Sequence, residues 1–204
     1  MKFALDDQQC DFAASIDAAL GAADVPAAVR AWGRGDTAPG RKIWATLTDL
    51  GVTALAVPER YDGIDAHPVD LVVALEALGR WCVPGPVAES IAVAPVLLGD
   101  DDRSAALAAG ELIATVALPP AVPRAADADF AGLVLLTRDG HVADAAAGDS
   151  HESVDPARKL FDVSATSDSQ AADVGRAFEF GNWAARETIA SGSGQEPDYG
   201  SPNS

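Results

Sequence analysis

The groups through which this 204-residue chain could do chemistry are few and scattered. Its three histidines, His67, His141 and His151, fall in separate loops or strand ends without metal-ligand spacing. Cys10 and Cys82 are the only cysteines, with neither a metal spacing nor a disulfide framework. Each lies in a helical pattern, which predicts two buried free thiols. Gly35 to Lys42 has the glycines of a phosphate loop, but Arg41 displaces the lysine and no Ser or Thr follows it. Arg34-Gly35-Asp36 is read as a chance tripeptide. Ser191-Gly192-Ser193-Gly194 lacks a preceding strand and the Gly-x-Ser-x-Gly register of a nucleophile elbow. Residue types and spacing therefore predict no metal site and no catalytic residue.

Charge narrows the partners. Thirty-one acidic against 14 basic residues give a formal net charge of −17, which argues against a nucleic-acid surface. An anionic ligand would need a local positive pocket within that field. No basic segment followed by an apolar run opens the chain, and no run of eighteen apolar residues occurs. A cytoplasmic protein without a membrane span is expected. With 49% hydrophobic residues the chain can bury a core, although Ala supplies much of that fraction and buries little area per contact.

The elements that must position any site come in two sets. Asp6 and Gln9 form a capping-box pattern ahead of Phe12, Ile16 and Leu20, and Gly21 offers a stop. Val25-Pro26 opens a short helix through Trp32, and Arg41 to Leu50 carries Ile43, Leu47 and Leu50 on one face. Val52 to Val57, ending at Pro58, reads as extended. Pro68 starts the strongest helix, with Leu71, Ala74, Leu75, Leu78 and Cys82 on one face; Pro84-Gly85-Pro86 breaks it. Val87 to Leu98 is helical with a kink or early end at Pro95, and Asp100 or Asp101 caps a further turn ending near Gly110.

Beyond Gly110 the apolar period shortens. Leu112 to Leu118, Gly132 to Thr137, His141 to Ala145 and Leu160 to Val163 read as strands, with Asp139-Gly140 as a hairpin turn. A helical pattern returns from Gln170 to about Ile189, interrupted by Gly181. Nine of the fourteen residues from 191 to 204 are Gly, Ser or Pro, which predicts a disordered tail. Helices first and strands second imply a mainly α chain with a small β module.

Three strings carry a resemblance: Leu55-Ala56-Val57-Pro58-Glu59-Arg60-Tyr61-Asp62-Gly63, then Leu75-Glu76-Ala77-Leu78-Gly79-Arg80, then Pro84-Gly85-Pro86. Together with the opening Phe3 to Gln9 and the segment Gly110 to Leu118, their order resembles the N-terminal domain of the acyl-CoA dehydrogenase family. The resemblance implies an N-terminal helical bundle over 1–110 and a shortened middle β-domain over 111–166. It further implies a remnant helix of the C-terminal domain over 167–190, followed by the tail.

The family removes an α-proton from an acyl-CoA with a C-terminal glutamate and passes the β-hydrogen as hydride to FAD. The resemblance implies acyl-CoA as ligand, FAD as cofactor, and assembly with itself or with another dehydrogenase subunit. Its usual Ala-Leu-Thr-Glu-Pro signature reads Ala117-Leu118-Pro119-Pro120 here, where proline removes backbone donors. The flavin contact is therefore assigned to Ala117 and Leu118 alone. The tryptophan-bearing flavin strand has no counterpart, and Glu179 and Glu187 do not match the position of the base. The chain is expected to be inactive alone. Its alternatives are a partner subunit, a non-enzymatic helical interaction module, or a remnant whose reading frame changes near Gly181. Val134 and Leu136, or Phe178 and Phe180, are expected to be left exposed.

Overall fold

The structure is a computed structural model that describes residues 5–181. Helix α1 (Asp7–Ala22) starts at the predicted capping box: the Asp6 carboxylate accepts from Gln9 N at 2.8 Å, and Gln9 Oε1 accepts from Asp6 N at 3.1 Å. Helix α2 (Val25–Trp32) is capped by the Asp24 side chain, with Pro26 in its first turn. Helix α3 (Ala38–Asp49) begins three residues earlier than the sequence pattern places it, because Pro39 fits the first turn. Helix α4 (Pro68–Arg80) buries Leu71, Ala74, Leu75 and Leu78 against Ile16, Leu20, Ile43 and Leu47 of the earlier helices.

Two local expectations are corrected. Val52 to Val57 is not extended: Val52–Ala54 form a 3-10 turn entered through Gly51 at φ 78°, and Leu55 is also right-handed. The segment is nevertheless buried, so its apolar run was a core signal. A 3-10 turn and a strand both bury a short apolar stretch, which is why the run alone misleads. Both cysteines are exposed rather than buried. Cys10 lies on the outer side of α1, and Cys82 lies two residues past α4 at φ 52°, off the helical face that its spacing suggests.

Pro95 does disturb its helix. Without an N–H it cannot close the regular ladder, and residues Glu89–Val93 take a π turn before helix α5 (Ala94–Leu98). Helix α6 (Arg103–Ala108) follows, its first amide held by Asp101 Oδ1 at 2.9 Å.

The sheet contains β1 (Ala114–Ala117), β2 (Ala125–Ala126), β3 (Leu133–Arg138), β4 (His141–His151), β5 (Leu160–Ala165) and β6 (Gln170–Ala171), in the order β1-β3-β4-β5-β2 with β6 against β4. Only β1 and β3 are parallel; Ala114 stands beside Leu133. The Asp139-Gly140 turn joins β3 to β4, as its residues predict. The sheet curls so that β2 returns beside β1, where Thr115 Oγ1 donates to the Ala126 carbonyl at 2.6 Å. One face packs Val116, Leu118, Leu135 and Val142 on Val93 and Leu97. The other encloses Ala125, Val134 and Phe161.

That curl corrects the expected exposure of Val134 and Leu136, which are both buried. Phe178 and Phe180 are half-buried, and Phe180 packs on the helical core. Gln170–Ala171 forms a strand, so helix begins only at 174 and is described to 181. The expected helix beyond 181 and the tail lie outside the described residues.

At Gly63 the requirement is close approach: an added Cβ would sit 1.9 Å from the Val57 carbonyl oxygen, which already accepts from Asp65 N. Gly63→Ala is expected to destabilise the chain by about 3 kcal/mol, because the obstacle is backbone and cannot step aside. Chemical denaturation of the two forms checks this; equal midpoints would refute the assigned role.

Candidate functional site

Ala117 ends β1 and Leu118 follows it, both buried. Leu118 N donates to the Val122 carbonyl at 2.7 Å, and Val122 N donates to the Leu118 carbonyl at 2.9 Å. The Ala117 carbonyl accepts from Thr137 Oγ1 at 3.4 Å. Between them Pro119 and Pro120, joined by a cis peptide, have no N–H to offer. A flavin carbonyl needs free donors, and the Leu118 amide is spent on the Val122 carbonyl. The residues at this position do not fit an isoalloxazine ring as they stand.

The histidines are dispersed. His67 Nδ1 accepts from Val69 N at the start of α4, and His141 Nδ1 lies 2.9 Å from the Asp139 carbonyl. His151 Nε2 pairs with Asp162 Oδ2 at 2.8 Å on the sheet surface, with Arg124 Nε on the other carboxylate oxygen at 3.0 Å. His151 first, and then Arg124, holds the Asp162 carboxyl below its usual range. Among the described residues no three potential ligands converge on a metal position. Glu179 is exposed, and Glu187 lies outside the described residues.

A buried polar arrangement lies where helices meet sheet, and residue spacing did not single it out. Asp127, 1% exposed and at φ 48°, accepts on Oδ1 from Trp32 Nε1 at 3.4 Å and from Lys159 N at 3.2 Å. Its own amide donates to the Lys159 carbonyl at 2.8 Å. Beside it Arg158 Nη2 pairs with Glu89 Oε1 at 3.0 Å, linking the π turn to the loop before β5. Glu89 Oε2 is buried without a partner among the described residues. A sequence signal existed: Glu89 is the only charged residue between Arg80 and Asp100. Asp127 gives no comparable signal, since Arg124 and Asp129 stand close to it in sequence.

Burial pushes the Asp127 carboxyl up to about 6, against the lowering effects of the Lys159 amide, Trp32 and Arg158; Glu89 adds to the rise. The folded value exceeds the unfolded value of about 3.9, so the native state holds an extra proton between roughly pH 4 and 6. The resulting stabilisation is complete below the unfolded value and is lost as pH rises through the folded one. Asp127→Asn keeps the acceptor and removes the buried charge. It is expected to be about 1–3 kcal/mol more stable than the native chain at pH 8, with the difference vanishing near pH 4. Denaturation midpoints across this range test the sign; a variant weaker at pH 8 would overturn it.

A helical bundle followed by a curled sheet, joined through that seam, is the architecture of the acyl-CoA dehydrogenase N-terminal and middle domains. The acyl-CoA dehydrogenase of Bacillus anthracis, solved in complex with FAD, superposes with a TM-score of 0.69 at 11% identity, covering 92% of this chain and 42% of that one. The ChsE4–ChsE5 complex of Mycobacterium tuberculosis gives 0.66 at 18% identity, covering 94% and 63%. In sequence, the acyl-CoA dehydrogenase FadE34 of the same organism is 36% identical over 114 residues, 50% of this chain and 16% of that protein. Residues 6–101 match the family described as acyl-CoA dehydrogenase, N-terminal domain. Residues 6–101 therefore carry the acyl-CoA dehydrogenase N-terminal domain. It spans well under two thirds of FadE34 and of the B. anthracis enzyme.

Proposed function

We propose that this chain contributes the helical and β portions of an acyl-CoA dehydrogenase assembly acting on a CoA thioester, and that the base and most of the flavin contacts come from outside the described residues. The observation that carries this reading is the closed Leu118–Val122 bridge across Pro119-Pro120, set in a fold that otherwise follows the family. A flavin contact at Ala117 and Leu118 would require that bridge to open. The described residues also offer no glutamate in a dry cleft facing it, whereas the family reaction needs a base beside the thioester. Pairing with an unlike subunit is consistent with the fold shared with the ChsE4–ChsE5 complex. A purely structural interaction module is the competing reading; it predicts binding to a partner without any effect on turnover.

The purified chain is expected to stay colourless after incubation with FAD and gel filtration, and to leave an acyl-CoA unoxidised in the presence of an electron acceptor. Co-expressed with a dehydrogenase subunit that does carry the flavin motifs, it is expected to co-purify and to raise that subunit's turnover at least about tenfold. Stoichiometric yellow protein from the chain alone would refute the division of labour. Co-purification without any change in turnover would favour the structural module.

A further inference from the structure

The seam holds a cleft of about 250 Å³ that the proposed assembly role leaves unused. Val29 of α2, Val83 and Pro84 after α4, and Ala157 ahead of β5 form its apolar walls. Asp127 lines it too, buried and with Oδ1 occupied by Trp32 and Lys159, while no described residue donates a hydrogen bond to Oδ2. Arg158 also lines the cleft, but its guanidinium is tied to Glu89, whose second oxygen is buried without a partner. Two largely buried carboxylates therefore share one half-exposed guanidinium.

A buried anion lacking its full complement of partners is costly, and a cation carrying N–H donors relieves that cost. No three His, Cys, Asp or Glu side chains converge there among the described residues, so the donor set favours an organic cation over a metal ion. The apolar walls suit methylene groups, and Asp155 on the rim offers a second carboxylate. The volume, equivalent to about eight waters, accommodates a short carbon chain. We propose that this cleft binds a small aliphatic diamine, one ammonium on Asp127 Oδ2, the methylenes against Val29, Val83 and Pro84, and the second ammonium toward Asp155.

The native chain supplies its own reporters. Cys82 is exposed and lines the cleft, whereas Cys10 is exposed on α1 and does not line it. The experiment titrates the full chain with 1,4-diaminobutane against sodium chloride of matched ionic strength, following heat of binding and iodoacetamide alkylation of each cysteine. One-to-one saturation is expected, with Cys82 alkylation slowed about tenfold and Cys10 unchanged. Butan-1-ol, which lacks the charge, should protect neither. Asp127→Asn should weaken diamine binding by about tenfold or more. Should that variant fail to fold, Cys82 protection in the native chain decides alone. Absence of saturation up to about 10 mM, unprotected Cys82, equal protection by butan-1-ol, or undiminished binding by a folded Asp127→Asn would each overturn the proposal.

Discussion

The insertion of Phe130 into the helical bundle is the contact on which the rest of the arrangement depends. Its ring meets Trp32 edge-on at 4.4 Å and Trp44 at 6.3 Å, with the Arg41 guanidinium 4.3 Å above it. Phe130 comes from the loop between β2 and β3, yet it belongs to the core of α1 to α4. The loop can deliver it because Asp127 turns the backbone at positive φ and its carbonyl accepts from Phe130 N at 2.9 Å. The same residue that shapes the turn also receives the Trp32 indole, so the backbone path and the aromatic packing are fixed by one side chain. A second tie lies at β1, where Ala114 N donates to the Ser90 hydroxyl at 3.1 Å and draws the first strand onto the π turn. Sheet and bundle are joined by a few directional bonds as well as by buried area.

Helices with a clear period were legible in the sequence because their signals agree at every level. In α1 the cap, the spacing of Ile16 and Leu20, and the burial all point the same way, and in α4 Pro68, Leu71, Leu75 and Leu78 do so. Legibility failed where one signal stood alone. Val52 to Val57 had an apolar run without a period, and Cys82 had a spacing that continued past the end of its helix. The short strands β2 and β6, with two residues each, lack the length over which alternation can be recognised. Both are placed by tertiary pairing, β2 against Phe161 and β6 against His141. The candidate site was the least legible part, since its residues come from positions 32, 89, 127 and 158 and no local spacing relates them. Glu89 was nonetheless visible as a lone charge in an apolar stretch, and the structure shows what it does: it holds Arg158.

The loop after β1 limits what the end of that strand can offer a ligand. Backbone donors at a strand end are what a fold of this kind can lend to a ligand, and they are lent only if the chain does not consume them. Here Pro119 and Pro120 contribute none, and Leu118 and Val122 satisfy each other. Val122 is left 41% exposed, an apolar side chain on the outer side of a bridge whose polar groups are already paired. The two prolines supply no amide, and the flanking Leu118 and Val122 amides are spent on each other's carbonyls.

Acidity then decides what the remaining surface can accept. Several cations among the described residues are already committed: Arg60 to Asp100, Arg80 to Asp17, Arg103 to Asp101 and Asp144, Arg124 to Asp162, Lys159 to Asp129. Each such pair contributes little stability at the surface, but each also withdraws a positive charge from any ligand. A chain at −17 sets an unfavourable overall field for an anionic ligand such as a CoA thioester. The field and the closed β1 loop are independent features, one global and one local, and the proposed division of roles rests on both.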